Sequence, residues 1–202
     1  MESMEAIVLA AGYSSRANDF KMTLKLGAMT VLEHTVSKFS GVCKKVIIVS
    51  GFQGERIKEV TTEMQNNNKF DMDIVCVFNP RFDLGMFSSV QRGCREVEAS
   101  RFFITPGDCP LVEKETIRNL AKENGTIVIP SYHMKGGHPI KLTVEIKKRI
   151  LDASSDSNLR KILQGYEKNF LNVEDPGVLM DLDTPEDFNK AIEYYDKLSR
   201  KR

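Results

Sequence analysis

The sequence predicts an α/β protein whose sheet is mainly parallel and covered by helices on both faces, a three-layer arrangement. Short apolar runs recur at residues 6–10, 46–49, 74–78, 102–105 and 126–130. Between them lie segments with apolar residues at three- and four-residue spacing, at 30–39, 53–64, 87–99 and 113–122. Strands that alternate with helices in this way join by crossovers and lie parallel. The run at 6–10 is continuously apolar rather than alternating, which indicates a strand buried on both faces.

Each later element follows from its own pattern. After Pro130 the alternation loosens into a strand at 140–142 and helices at 143–151 and 156–163, so a subdomain is expected at about 131–175 within one domain of residues 1–202. The apolar run 178–182 then returns the chain to the main body. Thr184-Pro185-Glu186-Asp187 offers an N-cap, a first-turn proline and early acids to the last helix. Asn66-Asn67-Asn68 marks a surface loop.

With 202 residues and 41% hydrophobic content, the chain can bury one substantial core. A net charge of +1 argues against a nucleic-acid surface, which needs a concentrated basic excess. Cys43, Cys76, Cys94 and Cys109 form no C-x-x-C pair, and His34, His133 and His138 lack zinc-site spacing, so reduced thiols are expected. No apolar stretch approaches a bilayer span and no charged leader precedes an apolar core, giving the expectation of a soluble cytoplasmic protein without membrane partners.

The first strand runs into Leu9-Ala10-Ala11-Gly12-Tyr13-Ser14-Ser15-Arg16, with Lys21 beyond. In open α/β sheets ligands collect beyond the carboxyl ends of the strands, and the turn after the first strand is a common phosphate cradle. Gly12 permits a positive φ or close approach of a phosphate, and Ala10 and Ala11 keep bulk away. Arg16 and Lys21 suit phosphate oxygens, the former as a planar fork and the latter as a movable charge. Neither Gly-x-Gly-x-x-Gly nor Gly-Lys-Ser/Thr is present here, so the common dinucleotide and P-loop cradles are excluded. A polar turn with solvated cations is the competing reading.

Other segments end at the same sheet edge. Asp108 follows the strand 102–105 between Gly107 and Pro110, where a carboxylate suits Mg²⁺ or, alternatively, caps a helix starting near Val112. Asp181 and Asp183 lie two apart on an extended segment and can point to one side. Asp183 is the preferred partner of Asp108 at the metal, against a helix-cap or surface-pair role. Asn79-Pro80 and then Gly85-Met86-Phe87-Ser88-Ser89 lead into a helix whose N-terminus and serine hydroxyls offer donors, against the plainer reading of a turn and an N-cap.

These segments resemble the MobA-like nucleotidyltransferase family, specifically its molybdenum cofactor cytidylyltransferase branch. The residues from Leu9 to Lys21 fit Leu-Ala-Ala-Gly-x-x-x-Arg-Met-Gly-x-x-Lys without a gap, except that Ala17 and Asn18 replace Met-Gly, and Lys25 stands where proline is frequent. Gly107-Asp108-Cys109-Pro110 is similar to the family's Gly-Asp-x-Pro, and the segment from Asp181 to Asp187 to its Asp-x-Asp-Thr-Pro-Glu-Asp. Asn79-Pro80 with Gly85-Met86-Phe87-Ser88-Ser89 resembles its base- and ribose-binding region. Gly137-His138-Pro139 resembles Arg-Gly-His-Pro with Gly136 in the arginine place, and Lys135 at a shifted register. Asp156-Ser157-Asn158-Leu159-Arg160 resembles Asp-x-Gly-x-Arg, against a capped helix with a solvated arginine.

The resemblance implies a Rossmann-like sheet of the nucleotide-diphospho-sugar transferase type. It also implies a Mg²⁺-dependent enzyme joining a nucleoside triphosphate, CTP by preference, to a phosphorylated acceptor of the molybdenum cofactor type, with release of pyrophosphate. Arg16, Lys21 and Asp108 are then catalytic, and Asp108 with Asp183 holds the metal. Leu9, Ala10, Ala11, Gly12, Arg16, Lys21, Asn79, Gly85, Ser88 and Ser89 bind nucleotide; His138, Asp156 and Arg160 lie on the acceptor side, in the subdomain. A molybdoenzyme receiving the product is an implied partner. Ala11, where the guanylyl branch more often has glycine, favours the single-ring base. The other expectations are a sugar- or alcohol-phosphate acceptor, a nucleotide-sugar glycosyltransferase, and a non-catalytic nucleotide- or cofactor-binding chaperone suggested by the losses at Ala17, Asn18 and Gly136.

Overall fold

A computed structural model describes residues 3–13, 20–154 and 156–199, the side chain of Ser199 aside. Seven strands form one continuous sheet: β1 (Met4–Ala10), β4 (Cys43–Ser50), β5 (Asp73–Phe78), β6 (Arg101–Pro106), β7 (Ile127–Tyr132), β9 (Ile140–Thr143) and β10 (Asn169–Asn172). Their spatial order is β10-β7-β9-β6-β1-β4-β5, with β8 (Lys135–Gly136) paired onto β7. A short antiparallel pair, β2 (Lys25–Leu26) and β3 (Met29–Thr30), stands apart.

β1 lies parallel between β4 and β6, and β5 continues the parallel run. β9 is inserted antiparallel between β6 and β7, while β10 is parallel to β7 at the edge. The irregular stretch after Pro130 thus supplies β8, β9 and β10 to the main sheet.

The period of two along each strand divides the core. Ala6, Val8, Ala10, Val46 and Ile48 pack with α1 (Val31–Ser37), α2 (Gly54–Asn66) and α4 (Lys114–Lys122). Ile7, Leu9, Ile47, Val49, Phe102 and Ile104 pack with α3 (Met86–Cys94), α5 (Val144–Asp152) and α6 (Leu159–Leu163). A third cluster of Leu26, Val31, Leu111, Leu182 and Ala191 seats α7 (Pro185–Ser199). No described helix is long and apolar enough to cross a membrane.

Two expected helix limits differ by three residues or more. The segment expected as helical to residue 99 leaves the helix after Cys94, because the Glu5 carboxylate takes the amides of Glu98 and Ala99 at 2.7 and 3.2 Å. The helix expected from residue 156 starts at Leu159, because the Asn158 side chain accepts the Lys161 amide at 2.9 Å and caps it there. All four cysteines are unpaired.

Candidate active site

The C-terminal ends of β1 and β6 lie side by side, and the segments leaving them carry the site. Ala11 is buried at the end of β1. Gly12 has no left-handed φ, and a Cβ there would meet nothing within 4 Å among the described residues. Of the two uses a glycine offers at this position, the left-handed turn is not the one made here. Arg16, with Ser14, Ser15, Ala17 and Asn18, lies outside the described residues.

Lys21 begins a 3₁₀ turn, Lys21–Thr23. Its ammonium reaches Asp108 Oδ2 and, at 3.1 Å, Asp183 Oδ1. The two carboxylates therefore meet on one cation, although 162 positions separate Lys21 from Asp183. Burial alone would lower the Lys21 pKa, but the two carboxylates outweigh it and raise the value, so the group remains charged through the neutral range.

Asp108 is fixed by its backbone. The Gly107 amide donates to Leu9 O at 2.9 Å, Thr35 Oγ1 donates to Gly107 O at 2.9 Å, and the Leu182 amide donates to Asp108 O at 3.2 Å. A Cβ on Gly107 would sit 3.0 Å from Met22 Sδ and 3.1 Å from Leu9 O, which accounts for glycine before the acid. Asp108 is 6% exposed, and its Oδ1 is buried without a hydrogen-bond partner among the described residues. The helix-cap alternative fails here: α4 is capped by Asp175, whose Oδ2 accepts the Glu113 amide at 2.8 Å and Thr116 Oγ1 at 2.7 Å. For Asp183 the cap alternative fails too, because Thr184 and Asp187 cap α7 reciprocally at 3.0 and 3.1 Å.

Together these groups floor a cleft of about 450 Å³, within the range of small-molecule sites. Leu9, Ala11, Gly12, Lys21, Gly85, Ser89, Asp108 and Asp183 line it, as does Asp181. Ala10, Asn79 and Ser88 do not; they support it from behind. Asn79 is buried and donates to Ser88 Oγ and Ser89 Oγ at 2.9 and 3.0 Å, while its Oδ1 accepts the Arg81 amide at 3.0 Å. Ser88 donates to Arg81 O at 2.7 Å, and Gly85, at φ 91°, rather than Ser88 is the N-cap of α3.

Of the acceptor-side residues, His138 comes nearest. Its amide donates to Val178 O at 2.8 Å, and a Cβ on Gly137 would stand 2.1 Å from that oxygen, so only glycine fits before it. The imidazole Nδ1 is buried without a hydrogen-bond partner among the described residues. Burial holds its pKa below the usual value, against the opposing charges of Asp181 and Asp108. Asp156 and Arg160 are exposed on the turn before α6 and on α6, and neither lines the cleft; Lys135 and Gly136 are exposed on β8.

Sequence reasoning missed the apolar wall formed by Tyr13, Phe82 and Met86. The Tyr13 ring lies 5.5 Å from Phe82 and 5.1 Å from Phe52. Aromatic residues just past β1, β4 and β5 were the available signal, since those turns share one sheet edge.

The chemistry of the floor suits Mg²⁺, a hard cation that takes one or two carboxylates and fills its shell with water and phosphate oxygens. No group of three or more metal-ligating side chains occurs among the described residues. The unpartnered Asp108 Oδ1 is the atom that such an ion would satisfy.

The model of the MobA-like NTP transferase domain matches residues 6–170. The chain belongs to this family. It is a nucleotidyltransferase, and its sheet has the nucleotide-diphospho-sugar transferase fold. It is 26% identical over 199 residues to the molybdenum cofactor cytidylyltransferase of Escherichia coli, covering 98% of this chain and 100% of that protein. A probable molybdenum cofactor guanylyltransferase of Carboxydothermus hydrogenoformans is 22% identical, with 96% and 98% covered. Among solved structures, a nucleotidyl transferase from Methanothermobacter superposes with a TM-score of 0.81 at 22% identity, covering 97% and 99%.

Proposed function

We propose that this family member transfers CMP from CTP to a phosphorylated acceptor, the molybdenum cofactor, and releases pyrophosphate. The observation that carries the reading is the meeting of Lys21, Asp108 and Asp183 on the floor of a cleft at the ends of β1 and β6. The cytidylyltransferase relative, similar from end to end, supports the choice of donor and acceptor.

In this reading Asp108 and Asp183 hold Mg²⁺, which when bound supplies positive charge to the reacting phosphates. Gly12, which lines the cleft and carries no side chain, admits the triphosphate. An acceptor phosphate oxygen forms a bond to the α-phosphorus in line, and the bond from that phosphorus to the β-bridging oxygen breaks, its electron pair leaving on pyrophosphate. Lys21, with Arg16, meets the charge that develops on the leaving group. The acceptor oxygen is already anionic, so no side chain has to take a proton, and positioning plus electrostatics supply the rate. Tyr13, Phe82 and Met86 wall the nucleotide side, and His138 with Asp181 faces the acceptor side. The product passes to a molybdoenzyme.

Ala11 supports CTP over GTP. It lines the cleft at the position where the guanylyl branch of the family more often has glycine. One methyl group decides about 1–3 kcal/mol, a preference of tens-fold. Competition between equal CTP and GTP, with Mg²⁺ and the molybdenum cofactor and products read by mass, is the test. Mainly CMP-joined cofactor is expected. Mainly GMP-joined cofactor overturns the donor, and consumption of neither nucleotide overturns the reaction.

A further inference from the structure

On the metal and phosphate roles proposed above for Asp108, Asp183 and Lys21, we infer that Lys21 is an exchangeable internal counter-ion. In the nucleotide-free protein it holds the place between the two carboxylates that a metal takes, and it swings to the triphosphate when a cation displaces it, so cation and nucleotide bind with positive coupling. Both carboxylates reach the one ammonium, Asp183 at 3.1 Å. A divalent cation shared by Asp108 and Asp183 has to stand where that ammonium stands, because two cations in one such space repel each other. Nor can Lys21 serve the phosphates while both acids hold it. The contacts of the resting site and those of the loaded site therefore exclude each other at a single side chain.

The charge of the cleft makes the exchange matter. Among the described residues that line it, Asp83, Asp108, Asp181 and Asp183 stand against Lys21 alone. A metal that takes Asp108 and Asp183 cancels acid charge and releases the ammonium, while a triphosphate that draws the ammonium away bares the acids for the metal. By linkage the two effects are one free energy.

The exchange is a motion of the side chain rather than of the backbone. Phe20 and Met22, on either side of Lys21, are buried in the core, and a Cβ on Gly107, directly before Asp108, would sit 3.0 Å from Met22 Sδ. The Thr23 amide and hydroxyl both donate to Phe20 O at 3.0 Å, and the Leu24 amide donates to Lys21 O at 3.2 Å. The turn that carries the ammonium is thus pinned against the strand end that carries the acid, and the flexible four-carbon stem lets Nζ turn.

Mn²⁺ binding to the nucleotide-free full chain, followed by electron paramagnetic resonance with Mg²⁺ as competitor, tests the metal half. Lys21→Met and Lys21→Gln remove the competing charge and should each bind Mn²⁺ about tenfold tighter than the wild type, a usual size for coupling between ligands. Lys21→Arg keeps the charge and should show no gain. Lys25→Met removes an exposed charge nearby and should move the midpoint by less than about twofold, since solvent and salt screen it. Equal or weaker binding by both neutral Lys21 variants, or an equal gain in Lys25→Met, overturns the exchange while leaving the metal ligands standing if Asp108→Asn still loses the site. Absence of Mn²⁺ binding in every protein overturns the exchange together with the metal reading beneath it.

Calorimetry of CTP in the presence of EDTA tests the nucleotide half. Asp183→Asn loosens the hold on Lys21 and should bind metal-free CTP about tenfold tighter than the wild type, but only about twofold tighter when made in the Lys21→Met background, the difference measuring the part that passes through the ammonium. An equal gain in both backgrounds, or none in either, overturns the link to the nucleotide.

Discussion

Two buried carboxylates near the opposite ends of the β1–β6 pair use lysines in different ways. Glu5, at the start of β1, accepts the amides of Glu98 and Ala99 through Oε2, and its Oε1 faces Lys45 at 3.3 Å and Lys44 at 3.6 Å. Burial pushes its pKa up, yet the amides and Lys45 prevail and hold it below the usual value. Asp108, just past β6, binds no amide through its side chain: one oxygen meets Lys21, and the other, like Glu5 Oε1, has no hydrogen-bond partner among the described residues. A carboxylate that holds two backbone amides ties chain segments together. One held only by an ammonium can give up that partner, the carboxylate to an incoming cation and the ammonium to a phosphate.

The largest expected effect separates the two by activity. Asp108→Asn should lower pyrophosphate release by about 10²–10³-fold with the thermal midpoint nearly unchanged, whereas Glu5→Gln should retain wild-type turnover per folded molecule. Comparable losses in both variants would erase the distinction. Stability should show the reverse. Glu5→Gln removes the charge of a buried carboxylate that accepts two amides and faces Lys45, and should cost about 3 kcal/mol in urea unfolding. The pH dependence follows from the depressed pKa: the Glu5 contribution is present above the ordinary value of 4.5 and fades as pH falls through the lower folded value, so the variant should be flatter in that acid window.

Lys21→Ala should reduce turnover about 10–100-fold and weaken CTP more than CMP in calorimetry, since the ammonium meets phosphates that CMP lacks. Equal weakening of both would remove Lys21 from the leaving-group side. The smallest effect concerns another buried lysine, Lys141 on β9, which donates to Glu123 O. Burial lowers its pKa to about 8 from 10.5. The unfolded chain therefore binds more protons between those values, and stability should rise with pH across that window, a rise absent in Lys141→Met.

The parallel half of the fold was legible because β1, β4, β5 and β6 are buried runs separated by amphipathic helices. The placing of β9 was not, since an antiparallel strand between β6 and β7 is a matter of long-range pairing that four apolar-rich residues do not encode. Asp108 was legible by its position just past the end of β6, and Asp181 and Asp183 by their two-residue spacing before Thr184-Pro185. Asp175, which caps α4 from 59 residues beyond Thr116, had no local signal. Asp156 and Arg160 were chosen by motif, but Asn158 caps α6 at Leu159 and leaves both exposed. The wall of Tyr13 and Phe82 comes from separate turns that only the assembled sheet edge brings together.

Whether the open oxygen of Asp108 is a cation site can be read directly by following Mn²⁺ binding to the nucleotide-free protein by electron paramagnetic resonance, with Mg²⁺ as competitor. The wild type should bind Mn²⁺ saturably and release it to Mg²⁺, Asp183→Asn should bind more weakly, and Asp108→Asn should lose the site while Glu5→Gln keeps it. Undiminished, Mg²⁺-competable binding by Asp108→Asn would contradict the assignment of the cleft floor.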